Sequence, residues 1–159
     1  MNHLTYSKEM EKRAVIWLSF CLHHLPSPVS HPEFATTGML LQSTYQSNLR
    51  FQGVAYFAKE AQNYNYENNS CKGNCSRYKQ IVWAASTEVG CAKAKCQDRN
   101  SSRPIYYLAC AFNNADSFLK ERPYEKGVSC SQCPQGVACL RHQCAAKIGQ
   151  NIIQSFGVL

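Results

Sequence analysis

The chain has 159 residues, enough for one domain or for one domain with a short appendage. Hydrophobic residues make up 45% and charged ones 17%, which excludes an intrinsically disordered chain, and no apolar run approaches the roughly 18 residues that span a bilayer. Lysine and arginine outnumber aspartate and glutamate by 17 to 10, but they are scattered. Their one dense cluster, Lys8, Lys12 and Arg13, is interleaved with Glu9 and Glu11 and reads as a solvated basic face, not a nucleic-acid-binding stripe.

Residues 5–24 are predicted to be helical. Met10, Ala14, Trp17, Leu18 and Cys21 recur at helical spacing, Thr5 or Ser7 can cap the start, and Pro26 and Pro28 stop the run. The apolar stretch 14–22 follows charged residues that include glutamates, and no small-x-small cleavage site comes after it, so it reads as structure and not as a signal peptide. Residues 29–47 lack a strong period and are expected to form a loop. A second helix is predicted over 48–62, capped by Asn48, with Phe51, Val54, Phe57, Ala58 and Ala61 on one side and Gly53 as a weak point. The asparagine-rich stretch 63–76 carries Cys71 and Cys75, which pinch a tight loop, and 77–85 reads as a helical turn or two.

Beyond this the pattern changes to strands over 88–95 and 104–113, joined by the polar hairpin loop 97–103. The second strand is apolar on both faces, so it should lie centrally, covered on each side. Helices followed by strands suggest an α+β layered domain. Past Pro123, Cys130, Cys133, Cys139 and Cys144 form a disulfide knot or a metal knuckle, and the tail 145–159 shows a weak apolar pattern at Ile148, Ile152 and Phe156. Ten cysteines, an even number, point to an oxidising compartment and a disulfide framework. Four cysteines in the C-terminal group allow three connectivities. A zinc site there is chemically possible, but its second half lacks the usual Cys-x2-Cys turn.

The stretch 76–83, Ser-Arg-Tyr-Lys-Gln-Ile-Val-Trp, resembles the signature Gly-His-Tyr-Thr-Gln-Val-Val-Trp of the CAP superfamily, which holds the cysteine-rich secretory proteins, antigen 5 and plant pathogenesis-related proteins. Tyr78, Gln80 and Trp83 carry that match. Residues 88–96 resemble the family's next strand, 107–110 its second signature, 14–21 with His24 its helix ending in cysteine and histidine, and 122–127 the hinge of the cysteine-rich secretory branch. Together these matches cover roughly residues 6–144, in the style of a venom-allergen-like protein.

The resemblance implies a three-layer α-β-α sandwich in which the family's first helix is missing. Residues 1–122 would form the CAP domain, 123–144 a cysteine-rich hinge and 145–159 a short tail. A truncated N-terminus, with signal peptide and first helix lost upstream of Met1, is the expectation for a secreted, extracellular protein. The family pairing joins Cys21 to Cys96, Cys71 to Cys75, Cys91 to Cys110, Cys130 to Cys139 and Cys133 to Cys144. By loop entropy the first bridge contributes about 4 kcal/mol and the third roughly 3 kcal/mol.

Many family members carry two histidines and two glutamates around a central cleft, able to bind a divalent metal. The matching positions here are His24 (with His23 as a register alternative), Met39, Glu60 and Arg77. Two of the four ligands are thus replaced and Arg77 brings a fixed positive charge, so no metal and no cofactor is expected; Arg77 is expected to pair with Glu60. No enzyme is expected either. The thiols are consumed in bridges, Ser86 and Thr87 have no adjoining histidine, and His3, His31 and His142 read as surface residues. The resemblance implies binding of a lipid or sterol, or of an extracellular partner protein, with a hydrolase of the same fold or an intracellular zinc-knuckle protein as alternatives. The nearest candidate for a sterol loop is 64–75 with Tyr64 and Tyr66, whose competing role is ordinary packing. The chain lacks the further six-cysteine domain of the channel-blocking branch, which argues against that activity. Asn68, Asn74 and Asn100 head Asn-x-Ser sequons; Asn100 and Asn68 are the expected glycosylation sites, since Asn74 sits beside a bridged cysteine. Nothing in the sequence sets the oligomeric state.

Overall fold

The structure, a computed structural model, describes residues 1–48, 53–98, 101–115 and 120–145. Its centre is a four-stranded sheet. Strand β1 (Thr5–Tyr6) runs parallel to β5 (Glu88–Gln97); β5 pairs antiparallel with β6 (Pro104–Phe112), and β6 with β2 (Gly38–Thr44), in the order β1-β5-β6-β2. Strand β6 is interior and buried on both faces, as its doubly apolar pattern requires. Its Ile105, Tyr107, Ala109 and Ala111 meet helix α1 (Lys8–Ser19) through Met10, Ala14, Trp17 and Leu18. Its Cys110 and Phe112 face the other way, against Leu40, Phe57 and Ile81, where helices α2 (Gly53–Ala58) and α3 (Ser76–Ile81) lie. The result is three layers, helix on sheet on helices.

Helix α1 is shorter than the 5–24 pattern. Ser7 is its cap, accepting from the Met10 amide at 3.4 Å, while Thr5 belongs to β1 and donates its amide to Thr87 O at 2.9 Å. The helix ends at Ser19, well before Pro26, because Cys21 takes a left-handed conformation (φ 52°) and its sulfur is bonded to Cys96 on β5. Residues 29–47 are not a loop throughout: a 3₁₀ turn at Pro32–Phe34 precedes β2, which pairs with β6 along its whole length. Only Met39, Leu40 and Leu41 are apolar in β2 before Gln42, Ser43 and Thr44, so an edge strand with one polar half shows no alternation. Of the second predicted helix, 48–62, Asn48 lies in a turn and 53–62 are described, as α2 followed by a 3₁₀ turn at Lys59–Asn63; 49–52, Phe51 included, lie outside the described residues. Within 63–76, β3 (Tyr64–Asn65) and β4 (Ser70–Cys71) make a small hairpin.

All five disulfides join the partners that the family resemblance implies. Cys91 and Cys110 lie directly opposite each other in the β5–β6 ladder. The C-terminal cysteines staple the hairpin of β7 (Ala138–Leu140) and β8 (Gln143–Ala145), which leaves the knuckle reading without thiolates to hold zinc. This hairpin is docked on the N-terminus: Cys144 donates its amide to Met1 O and accepts from the His3 amide, each at 2.8 Å. Asn100 and all but the first residue of the 145–159 tail lie outside the described residues.

Two glycines set close approaches. A side-chain carbon on Gly90 would lie 2.0 Å from the backbone nitrogen of Glu11 and 2.5 Å from Ser7 O, so the first turn of α1 rests directly on β5. One on Gly38 would meet the Gln80 amide at 2.1 Å. Gly90→Ala is expected to cost about 3 kcal/mol or more, because helix backbone must move. Gly38→Ala should cost less, since the obstacle there is the end of a side chain. Urea unfolding of the oxidised variants checks the order.

Candidate functional site

Where the turn after α1, the start of β2 and α3 meet, a hollow of about 170 Å³ opens. Leu25, Pro26, Met39 and Leu40 form its apolar walls, and Thr37, Gly38, Ser76, Arg77 and Gln80 complete it. The residue that organises one side is Glu60, on the 3₁₀ turn after α2 and only 8% exposed. Its Oε2 accepts from the backbone amides of Arg77 and Tyr78 at 3.1 and 3.2 Å, and its Oε1 from Arg77 Nε and Nη2 at 2.6 and 2.5 Å. The carboxylate therefore serves the free amides at the start of α3, where the cap residue Cys75 offers no side-chain bond. The guanidinium, held on that carboxylate, lies over Phe57 and Tyr56, 5.1 and 5.9 Å from the ring centres. Gln80 is 3% exposed and lies against Gly38; its Nε2 has no partner among the described residues.

Residues 1–112 match the family described as CAP, the cysteine-rich secretory protein family. The chain belongs to that family. GLIPR1-like protein 1 of Mus musculus is 29% identical over 140 residues, covering 85% of this chain and 59% of that protein. Peptidase inhibitor 15 of Mus musculus is 27% identical over 177 residues, covering 98% of this chain and 66% of that protein. The chain thus spans less than two thirds of the length of these curated relatives. The structure of Schistosoma mansoni venom allergen-like protein 4 superposes with a TM-score of 0.62 at 27% identity, covering 80% of this chain and 77% of that one.

Of the four positions expected to correspond to the family's tetrad, the CAP fold here brings Met39 and Arg77 to one hollow and joins Glu60 to Arg77. His24 is not among the lining residues; its ring nitrogen Nδ1 lies 2.9 Å from Leu25 O, and its own carbonyl accepts from Trp17 Nε1 at 3.0 Å. His23 bonds to the Tyr107 hydroxyl instead. This donor set does not fit a divalent metal: Met39 offers a thioether, Arg77 a fixed positive charge, and Glu60 has both oxygens engaged. Among the described residues no three His, Cys, Asp or Glu side chains converge as a metal set.

The signature residues hold the fold. Trp83 Nε1 donates to Asn114 O at 3.1 Å, and Tyr78 shares a 3.2 Å hydroxyl contact with Tyr124. Burial and that contact push the Tyr78 phenol above the ordinary tyrosine range. Tyr64 and Tyr66, the candidate sterol-loop residues, are engaged in packing. Tyr64 bonds Asn69 and lies against Tyr78, while Tyr66 stacks on Tyr124 with ring centres 5.3 Å apart and has the Lys126 ammonium 4.3 Å from its ring centre. Arg122 bonds the carbonyls of Tyr66 and Glu67 at 3.1 and 2.7 Å, so this hairpin anchors the segment that leads to β7. Among the histidines read as surface residues, His31 is half-buried and packs edge-on against Trp17, whereas His142 is exposed and contacts Ser129.

The sequence reading missed Asn113. Its Oδ1 accepts from the amides of Thr87 and Glu88, both at 2.9 Å, and its carbonyl accepts from Ser86 Oγ at 2.8 Å. No periodic signal in the sequence marks it. Glu60→Ala removes four bonds and leaves Arg77 without its carboxylate; unfolding measurements are expected to show a loss of about 2–4 kcal/mol. Arg77→Ala should cost only about 1 kcal/mol, because Glu60 keeps its two backbone donors and the guanidinium is partly solvated.

Proposed function

We propose that this CAP-family protein is a secreted, non-catalytic binding protein of the venom-allergen-like type, taking a lipid or sterol or an extracellular partner protein. The observation that carries the reading is the hollow itself: apolar walls with polar groups at one side, and no nucleophile paired with a base among its lining residues. Ser86 is 1% exposed and spends its proton on Asn113 O, and all ten cysteines are bridged. These features speak against the hydrolase alternative. The disulfide framework suits an oxidising, extracellular setting. The name of the relative peptidase inhibitor 15 makes a peptidase the first protein partner to try.

The test is native mass spectrometry of the chain purified through an oxidising secretory route. A non-covalently held lipid or sterol, or a raised melting temperature with one member of a lipid panel or with a stoichiometrically inhibited peptidase, is the expected result. A ligand-free protein unmoved by either panel defeats the reading. Labelling by a fluorophosphonate serine-hydrolase probe would restore the enzyme alternative.

The same secretory reading makes Asn68 the glycan acceptor among the described sequons. It is exposed in the turn between β3 and β4, with Ser70 Oγ donating to its Oδ1 at 2.7 Å. Asn74 is held instead by two bonds from Ser76, at 3.0 and 2.8 Å, beside the bridged Cys75. Peptide mapping after glycosidase treatment should show conversion at Asn68, absent in Asn68→Gln, and none at Asn74.

A further inference from the structure

We propose that Lys79 and Asn69 join through an intramolecular isopeptide bond, a self-made cross-link between α3 and the β3–β4 hairpin. It is independent of what the hollow binds. Lys79 is only 5% exposed, an unusual place for a lysine, and its Nζ donates to Asn69 Oδ1 at 3.2 Å. The same oxygen accepts from the Tyr64 hydroxyl at 2.9 Å. The Asn69 amide nitrogen donates instead to Lys120 O at 2.7 Å, which fixes its oxygen on the side of the lysine. The Tyr64 ring centre lies 5.7 Å from the Lys79 nitrogen. Asn69 sits in the turn between β3 and β4 with a left-handed backbone (φ 51°), a conformation that asparagine takes more readily than most residues.

These contacts supply the parts of an amide exchange. The nucleophile is hydrogen-bonded to the oxygen next to the carbon it attacks, and a phenol is set on that oxygen, where charge develops. Removing a lysine from water favours the amine form that the reaction needs. Burial raises the Tyr64 phenol, so it keeps its proton at neutral pH. The amine lone pair adds to Asn69 Cγ, and the carbonyl π pair moves onto Oδ1 against the Tyr64 hydroxyl. Collapse re-forms the carbonyl and breaks the Cγ–Nδ2 bond, and one Nζ proton leaves with Nδ2 as ammonia. Nothing is oxidised or reduced, and no co-reactant is needed. The new amide runs beside the Cys71–Cys75 bridge, which joins β4 to the cap of α3, and it holds the same elements together when that bridge is reduced.

The test is tryptic peptide mapping of the full chain, folded oxidised and then reduced and alkylated, with Asn68→Gln keeping any glycan off the neighbouring residue. Trypsin does not cut after an acylated lysine. The expected product is therefore one branched peptide, 60–72 joined to 78–93, lighter than the two together by one ammonia. Fragment ions should place the junction at Asn69 and Lys79. Lys79→Arg keeps the charge and cannot form the bond, so it should regain the mass of ammonia and release 60–72 as a free peptide. Tyr64→Phe removes the donor on Oδ1 and should slow cross-linking by about tenfold or more, read as the unlinked fraction over time. An unchanged rate overturns the role assigned to Tyr64. A chain that yields 60–72 free, with cleavage after Lys79, overturns the inference and leaves the pair a hydrogen bond only. So does a loss of ammonia that persists in Lys79→Arg, which marks a cyclised asparagine instead.

Discussion

The contact on which the rest of the molecule depends is the seating of α1 on β5. It is possible only because Gly90 has no side chain: the backbone of Ser7, Met10 and Glu11 occupies the space that a β-carbon would need. That closeness lets Met10, Ala14, Trp17 and Leu18 reach the odd-numbered residues of β6 and bury one face of the sheet. The Cys21–Cys96 bridge then fixes the far end of the helix to the same strand. A bridge closing 75 residues limits the unfolded chain most among the five, so it acts on both the helix geometry and the stability.

On the other face a single carboxylate has a comparable role. Glu60 supplies the acceptors that the first amides of α3 require, and it holds the guanidinium of Arg77. In doing so it acts as a structural anion. The consequence for chemistry follows from the donor inventory. The residues at this hollow offer N–H and O–H groups, a thioether and apolar carbon.

A tyrosine cluster ties the C-terminal segment to the body. Tyr66 on Tyr124, and Tyr78 on Tyr124, tie the β3–β4 hairpin and α3 to the segment that leads to β7 and β8, and that hairpin returns to bond Met1 and His3. Residues 123–144 are thus docked on the body through both ends, by aromatic contact at one and by backbone bonds at the other. The aromatic residues that suggest a ligand loop in one dimension are consumed by this docking in three.

The sequence by itself determined the parts that depend on local pattern and on residue type. The apolar repeat of α1, the doubly apolar run of β6, the oxidising framework implied by ten cysteines and the Ser-Arg-Tyr-Lys-Gln-Ile-Val-Trp signature were all legible, because each is written in adjacent residues. Tertiary structure decided what depends on residues far apart in the chain. Strand β2 exists because β6 offers a full ladder to a segment whose own pattern is weak, and α1 stops at a cysteine bonded 75 residues away instead of at a proline. The roles of Gly90, Gly38 and Asn113 are likewise invisible in one dimension. A glycine or an asparagine carries no periodic signal, and its meaning lies in which backbone or side chain the fold brings within a few ångströms of it.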